Sequence, residues 1–180
     1  MLWFGLTQVQ EARAGFDACT RLGGKLFLFQ FKASAHTMRS GARRFHANHN
    51  QMENLRNHCT VARSVFYVFP MVGTTLELAR NPDIVGQSMI LDVNNIPPLN
   101  LPLTRKGTPR VSGCHYVDIF SSSNYGVIHS DPVEVKLIDA STFVQDGLDS
   151  SDGIQFRKDF QSFYDFARKL GRKSVAAIVL

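Results

Sequence analysis

The chain has few cysteines and no long hydrophobic run. Its three cysteines, Cys19, Cys59 and Cys114, are widely spaced and form no CxxC pair, so the sequence indicates neither a disulfide framework nor a zinc ribbon. No apolar stretch approaches the length of a membrane span, and the opening MLWFGLTQVQ lacks the basic and long apolar regions of a signal peptide. We therefore expect a cytoplasmic protein without a membrane partner.

Several catalytic signatures are also missing. The sequence contains no G-x-S-x-G elbow, no P-loop lysine motif and no dinucleotide-binding fingerprint. What it does contain is 14 Phe and a net charge of +5, which predict an aromatic-rich core and an anionic partner. A chain of 180 residues is long enough for one well-packed domain, and we take 1–180 as that domain.

Positive charge is concentrated in segment 36–49, HTMRSGARRFHANH, which has three arginines, three histidines and no acid. One interpretation is a solvated basic loop. The other is a phosphate-binding segment, because it directly follows Gln30-Phe31-Lys32, where a nucleic-acid backbone would pass. The candidate nucleic-acid contacts are Arg39, Arg43, Arg44, His49 and Gln51.

Hydrophobic periodicity predicts an α/β fold. A capping box at Thr7–Gln10 predicts a short helix to about residue 14, and Gly23-Gly24 predicts the turn of a hairpin over 16–33. We expect this hairpin at the middle of a mixed central sheet, flanked by helices over 50–62 and 153–170. The remaining predictions are strands at 64–72, 88–93, 115–120, 126–129 and 132–138, a helix at 75–80, a loop over 94–113 and a terminal apolar strand. The core would span about 7–93, with 115–180 completing the same sheet.

Four polar residues near the start indicate a site. Gln30 and Lys32 are the polar positions inside the apolar strand KLFLFQFKA, and their spacing of two places them on one face. A buried lysine is costly without an anionic neighbour. Asp17 lies on the opposite arm of the hairpin at about the same level, and Glu11 lies on the preceding helix.

These residue types suit phosphodiester hydrolysis. A divalent metal polarises the phosphate and lowers the pKa of an attacking water, and Mg²⁺ accepts hard oxygen ligands such as carboxylates and amide carbonyls. Asp17 would be the central ligand, Gln30 would add its side-chain oxygen or orient a water, and Glu11 would be a further ligand or base. Lys32 would hold the nucleophilic water or the developing phosphorane charge.

The pattern Glu11-x5-Asp17, twelve residues, then Gln30-x-Lys32 resembles the PD-(D/E)XK, or restriction-endonuclease-like, nuclease superfamily in its Gln-x-Lys variant. The resemblance covers about 7–72, including a helix that opens His49-Asn50-Gln51-Met52 and a strand with Phe66-Tyr67-Val68-Phe69. It implies a restriction-endonuclease-like core and a Mg²⁺- or Mn²⁺-dependent endonuclease. The substrate would be DNA, the role restriction or anti-phage defence, and the assembly a homodimer or a larger defence complex.

Alternatives stay open. Phe16 stands where the superfamily usually has proline, and Gln30 where it usually has an acid. An inactive relative that serves as a nucleic-acid-binding or assembly module is therefore the second hypothesis. An unrelated α/β domain with a buried Asp17–Lys32 ion pair is the third. The sequence offers two rival sites as well. One is Asp118 with Glu134-x-Lys136, and the other is a zinc site drawn from His46, His49, His58, Cys59, Cys114 and His115.

Overall fold

The computed structural model describes residues 2–5, 17–22, 25–58, 64–101, 103, 107–108, 113–129, 131–147, 154–155 and 177–179. Over these residues the chain is a mixed α/β structure with two β-sheets and few helices. Within the same ranges, no helix has both the length and the apolar character that a membrane crossing requires.

The described elements follow in chain order. The strands are β1 (Leu2–Gly5), β2 (Ala18–Leu22), β3 (Lys25–Phe31), β4 (Ser34–Thr37), β5 (Arg43–Asn48), β6 (Val65–Pro70), β7 (Ser88–Asp92), β8 (Cys114–Ile119), β9 (Tyr125–Ile128), β10 (Val133–Lys136), β11 (Ile138–Asp139), β12 (Ile154–Gln155) and β13 (Ala177–Val179). The helices are α1 (His49–His58), α2 (Thr75–Arg80) and α3 (Ala140–Gly147), with a 3-10 turn at Val93–Asn95.

The larger sheet is mixed and has the hairpin at its centre. Its strand order is β11-β7-β6-β3-β2-β1-β13, and β12 pairs with the first residues of β3. β2 and β3 are antiparallel with Leu22 opposite Lys25, whereas β3 and β6 are parallel with Leu28 opposite Val65. The predicted mixed sheet with the 16–33 hairpin in its middle is confirmed, and β13 finds its partner in β1.

Alternation along β3 separates two hydrophobic cores, one on each face of the sheet. Leu28 belongs to a cluster with Met52 and Leu55 of α1. Phe27 and Phe29 belong to a second cluster with Phe143 of α3 and Phe66 of β6. The Phe66 and Phe143 rings pack edge to face with centroids 4.7 Å apart, a geometry that aromatic pairs favour. Residues Gln30 and Lys32 continue the face that α1 covers.

A second, five-stranded sheet corrects the prediction that the later strands complete the first. Its order is β10-β9-β8-β5-β4. A solvated loop was one interpretation of the basic segment 36–49, but β5 and the last two residues of β4 lie in it. The reason is a period-two pattern in β5, where Phe45 and Ala47 are buried while His46 is exposed. From the part after Cys114, the large sheet receives β11, β12 and β13.

Helix predictions had mixed outcomes. The helix over 75–80 is confirmed as α2, and the helix over 50–62 is described as α1 at His49–His58. Helix α3 was not predicted. The expected helices over 7–14 and 153–170 lie outside the described residues, except that Ile154–Gln155 form a strand rather than a helical first turn.

Candidate active site

Asp17 sits immediately before β2 and faces the end of β3. Its backbone N–H donates to the Phe29 carbonyl at 2.9 Å, which continues the β2–β3 ladder by one residue. Its Oδ2 accepts two hydrogen bonds, from Gln30 Nε2 at 2.6 Å and from the Phe31 backbone N–H at 2.7 Å. A carboxylate that accepts a backbone amide and a side-chain amide is held in one orientation.

Gln30 and Lys32 are brought onto one buried face by the parallel pairing of β3 with β6. Gln30 lies opposite Tyr67, and the Lys32 N–H donates to the Val68 carbonyl at 2.9 Å, so extended geometry persists past the last residue of β3. The two residues are 6% and 9% exposed. The sequence prediction that they share a face is therefore confirmed.

Gln51 joins them from the first turn of α1. The side chain of Asn48 caps this helix by accepting the Gln51 backbone N–H at 3.1 Å. A glutamine at this third helical position often turns back to the cap residue. Here Gln51 Nε2 instead donates to Gln30 Oε1 at 2.8 Å, and Gln51 Oε1 accepts a hydrogen bond from Lys32 Nζ.

The result is a continuous network from Lys32 through Gln51 and Gln30 to Asp17, called the Lys32–Asp17 network below. The ammonium also lies 4.8 Å from the centroid of the Tyr67 ring, within cation–π range. Burial lowers the pKa of Lys32 to about 8, although the negative charge of Asp17 partly opposes that change. The cation and the anion are thus bridged by two amides, in place of the direct ion pair of the third hypothesis.

The oxygens of this network fit a hard divalent metal. Gln30 Nε2 lies 2.6 Å from Asp17 Oδ2 and 3.1 Å from the Phe31 carbonyl oxygen, so those two oxygens converge on one position. One carboxylate with neutral oxygens and water is a set that Mg²⁺ accepts. Gln30 would have to withdraw its nitrogen from this position and direct its oxygen toward it to join the set. Glu11, the other predicted ligand, lies outside the described residues. Across the described ranges, no three His, Cys, Asp or Glu side chains group to hold a metal ion.

The predicted nucleic-acid contacts are dispersed. Arg39 lies exposed in the turn between β4 and β5. Arg43 forms an ion pair with Glu77 at 2.6 Å, and Arg44 bonds bidentately to Asp118 at 2.6 and 2.7 Å. Two of the three arginines are therefore already partnered by carboxylates. His49 and Gln51 also have partners inside the protein, and Gln51 belongs to the Lys32–Asp17 network.

Access to the network is from the Asp17 end. Asp17 is half-buried and the Phe31 side chain beside it is 48% exposed, whereas Gln30 and Lys32 are covered. A cavity of about 550 Å³ lies elsewhere, between the large sheet and α3, and its lining includes Asp92, Asp139 and Phe143. None of the four network residues lines that cavity.

The described members of the rival sites do not come together, while Cys59 of the zinc candidates lies outside the described residues and nothing is described of the His58 side chain. Asp118 and Glu134 lie on β8 and β10 with β9 between them, and Asp118 is occupied by Arg44 and by His129 Nε2 at 2.7 Å. Of the zinc candidates, His49 Nδ1 lies 2.8 Å from His115 Nε2, a hydrogen bond rather than a shared metal geometry. Burial lowers the pKa of His115, and the neighbouring His49 lowers it further.

No protein-family model matches the chain, and no curated protein or solved structure matches it either. The side-chain geometry and the sequence resemblance are therefore the features that bear on function.

Two participants were not predicted. The Phe31 backbone supplies an N–H to Asp17 and a carbonyl oxygen to the converging position, and the sequence carries no signal for either because every residue has both groups. Tyr67 lies under Lys32, and its place opposite Gln30 on the parallel neighbour β6 could have been inferred only with the strand register known. Gln51 was predicted to contact nucleic acid; its partners in the structure are Gln30 and Lys32.

Proposed function

We propose that the protein is a metal-dependent nuclease that hydrolyses DNA phosphodiester bonds. The observation that carries this proposal is the Lys32–Asp17 network, in which all three described motif residues meet beside a position where oxygen ligands converge. A role in restriction or anti-phage defence rests on the sequence resemblance alone. The order of the elements agrees with that resemblance, since the helix with Gln51 and the strand with Tyr67 follow Gln30 and Lys32.

Each residue has a distinct part in this proposal. Asp17, the Phe31 carbonyl and, after its amide turns, Gln30 would hold Mg²⁺ or Mn²⁺, with Glu11 as a further ligand. The metal supplies Lewis acidity toward the phosphate and a lowered pKa for a bound water. Lys32, with its pKa lowered to about 8 by burial, can hold that water by a hydrogen bond and stabilise negative charge on the phosphate.

Gln51 and Tyr67 would position Lys32. Gln51 Oε1 accepts a hydrogen bond from the ammonium, and the Tyr67 ring lies beneath it. A lysine fixed in this way loses little further side-chain freedom when substrate binds, so its charge acts without reorganisation.

The second candidate is an inactive relative that binds nucleic acid. One observation favours it: Asp17 is the one carboxylate among the described network residues, and Gln30 presents its Nε2, not an oxygen, to Asp17. Loss of an anionic ligand weakens binding of a hard cation. In that case the basic segment 36–49, which includes Arg39, would bind the nucleic acid.

Cleavage of plasmid and single-stranded DNA with Mg²⁺ or Mn²⁺ separates the two candidates. The variants are Asp17→Asn and Lys32→Met, with Lys136→Met as the matched control, because Lys136 is an exposed lysine in the rival E-x-K sequence. The nuclease proposal expects cutting that requires metal, falls at least about a hundredfold in both network variants and persists in Lys136→Met.

The other outcomes are equally informative. Absence of cutting, with salt-sensitive DNA binding that Arg39→Ala weakens, would favour the inactive binding module. Equal cutting by the wild type and both network variants would show that the network is not the active site.

A further inference from the structure

The two charged ends of the Lys32–Asp17 network fix the direction of every hydrogen bond in it. An ammonium only donates and a carboxylate only accepts. Because Lys32 donates to Gln51 Oε1, the Gln51 Nε2 must face Gln30, where it meets Oε1 at 2.8 Å. Gln30 must then turn its own Nε2 to Asp17, at 2.6 Å.

This direction is the wrong one for a metal ion. The Gln30 nitrogen, which cannot ligate a cation, occupies the position between Asp17 Oδ2 and the Phe31 carbonyl oxygen. Turning the amide over would direct its oxygen, in place of its nitrogen, toward that position. The same turn would place the NH₂ groups of Gln30 and Gln51 against each other and remove the 2.8 Å hydrogen bond between them.

We propose that Gln51 is a positioning residue that holds the Gln30 amide in the orientation opposed to metal ligation, and so sets the affinity of the site for divalent metal. This inference rests on the proposed function, because it concerns the metal that the nuclease would use. Gln51 acts through Gln30 and touches neither the metal nor the reacting phosphate. The network therefore resists metal until the Gln30 amide turns over.

The variant Gln51→Glu removes the donor that holds this orientation. Its carboxylate has no N–H, so it accepts from Lys32 with one oxygen and from Gln30 Nε2 with the other. Gln30 can then direct its oxygen toward a bound cation beside Asp17 without losing a hydrogen bond to residue 51. By isothermal titration calorimetry with Mn²⁺, we expect Gln51→Glu to bind at least about tenfold more tightly than the wild type, the factor expected when one opposing hydrogen bond is removed.

Two controls separate amide orientation from added charge. Asn50→Asp adds the same charge to the same helical turn at an exposed position, and it should strengthen binding by less than about threefold, as one exposed charge does. In a Gln30→Glu background, residue 30 has no nitrogen to orient, so Gln51→Glu should lose its advantage. The difference between the two backgrounds measures the orientation effect alone.

The outcomes distinguish this inference from the proposed function. Mn²⁺ binding that Asp17→Asn abolishes but Gln51→Glu does not strengthen would overturn the inference and leave the nuclease proposal standing. Equal gains from Gln51→Glu and Asn50→Asp would also overturn it. Absence of binding in the wild type and in every variant, or binding that Asp17→Asn leaves unchanged, would overturn both.

A second measurement uses the wild-type protein, in case Gln51→Glu does not fold. Gln30 Nε2 and the Phe31 N–H donate to the same Asp17 oxygen, so their protons are close enough to give a nuclear Overhauser effect. Saturation with diamagnetic Mg²⁺ should abolish this effect as the amide turns over. Its persistence at saturating Mg²⁺ would refute the reorientation.

Discussion

Burial of the Lys32 ammonium makes the stability of the folded chain depend on pH. The folded protein lowers the pKa of Lys32 from 10.5 to about 8, chiefly by burial, while the charge of Asp17 opposes the change. Between these values the unfolded chain keeps its proton and the folded chain releases it. The unfolded state therefore binds more protons, and the free energy of unfolding rises with pH across this window.

The magnitude follows from the two pKa values. Their separation corresponds to about 3 kcal/mol, of which about 2 kcal/mol should be gained between about pH 7 and about pH 9.5. Burial raises the pKa of Tyr67. Above about pH 10, titration of this tyrosine would lower the free energy of unfolding, so the pH range of the measurement ends below that value. Lys32→Met cannot gain or lose this proton and should lack the rise.

Urea unfolding of both proteins at constant ionic strength measures the effect. The difference in unfolding free energy between the wild type and Lys32→Met should change by about 2 kcal/mol in favour of the wild type as pH increases over this range. Parallel curves for the two proteins would show that Lys32 has an ordinary pKa and is not desolvated.

Two further predictions concern groups outside the metal position. Asp118→Asn should lower the free energy of unfolding by about 2 kcal/mol at neutral pH, because it leaves Arg44 without its bidentate partner. Burial alone would raise the pKa of Asp118, but the hydrogen bonds and charges of Arg44 and His129 outweigh it and lower that pKa. As pH falls below about 4, the variant should therefore lose less stability than the wild type. Equal acid denaturation curves for the two proteins would contradict this. Tyr67→Phe should change stability by less than about 1 kcal/mol, since within the described residues the buried Tyr67 hydroxyl has no hydrogen-bond partner. A thermal-melt loss above about 2 kcal/mol would contradict that assignment.

The sequence predicted the centre of the fold because the signals there are local. A Gly-Gly turn between two apolar runs predicts a hairpin, and the period of a strand places Gln30 and Lys32 on one face. Asp17 and Gln30 could be matched across the hairpin for the same reason. Neither signal depends on contacts between residues distant in the chain.

The second sheet and the Gln51 contacts depend on such distant contacts. Strand β5 pairs with β8, some seventy residues away by register, as in Arg44 opposite Asp118, and composition alone made its segment resemble a basic loop. Gln51 reaches Gln30 only because β4 and β5 return the chain to the start of α1 beside the end of β3. The direction of the amides could not be predicted either, since it follows from which side chains meet Lys32 and Asp17.

The stability of Lys32→Met distinguishes a lysine that is buried for activity from one that only supports the fold. A lysine whose pKa burial lowers to about 8 reduces stability at neutral pH, and replacing a buried charged group by an apolar one of similar shape is often neutral or stabilising. Lys32→Met removes this cost but leaves Gln51 Oε1 without its donor, so we expect its unfolding free energy to stay within about 1 kcal/mol of the wild type or above it at pH 7. If Lys32 serves only the fold, Lys32→Met should instead be strongly destabilised. If Lys32→Met loses metal-dependent DNA cleavage but keeps its stability, Lys32 serves activity and not the fold. A buried charged group that lowers stability has no structural reason to be there, so its reason is functional.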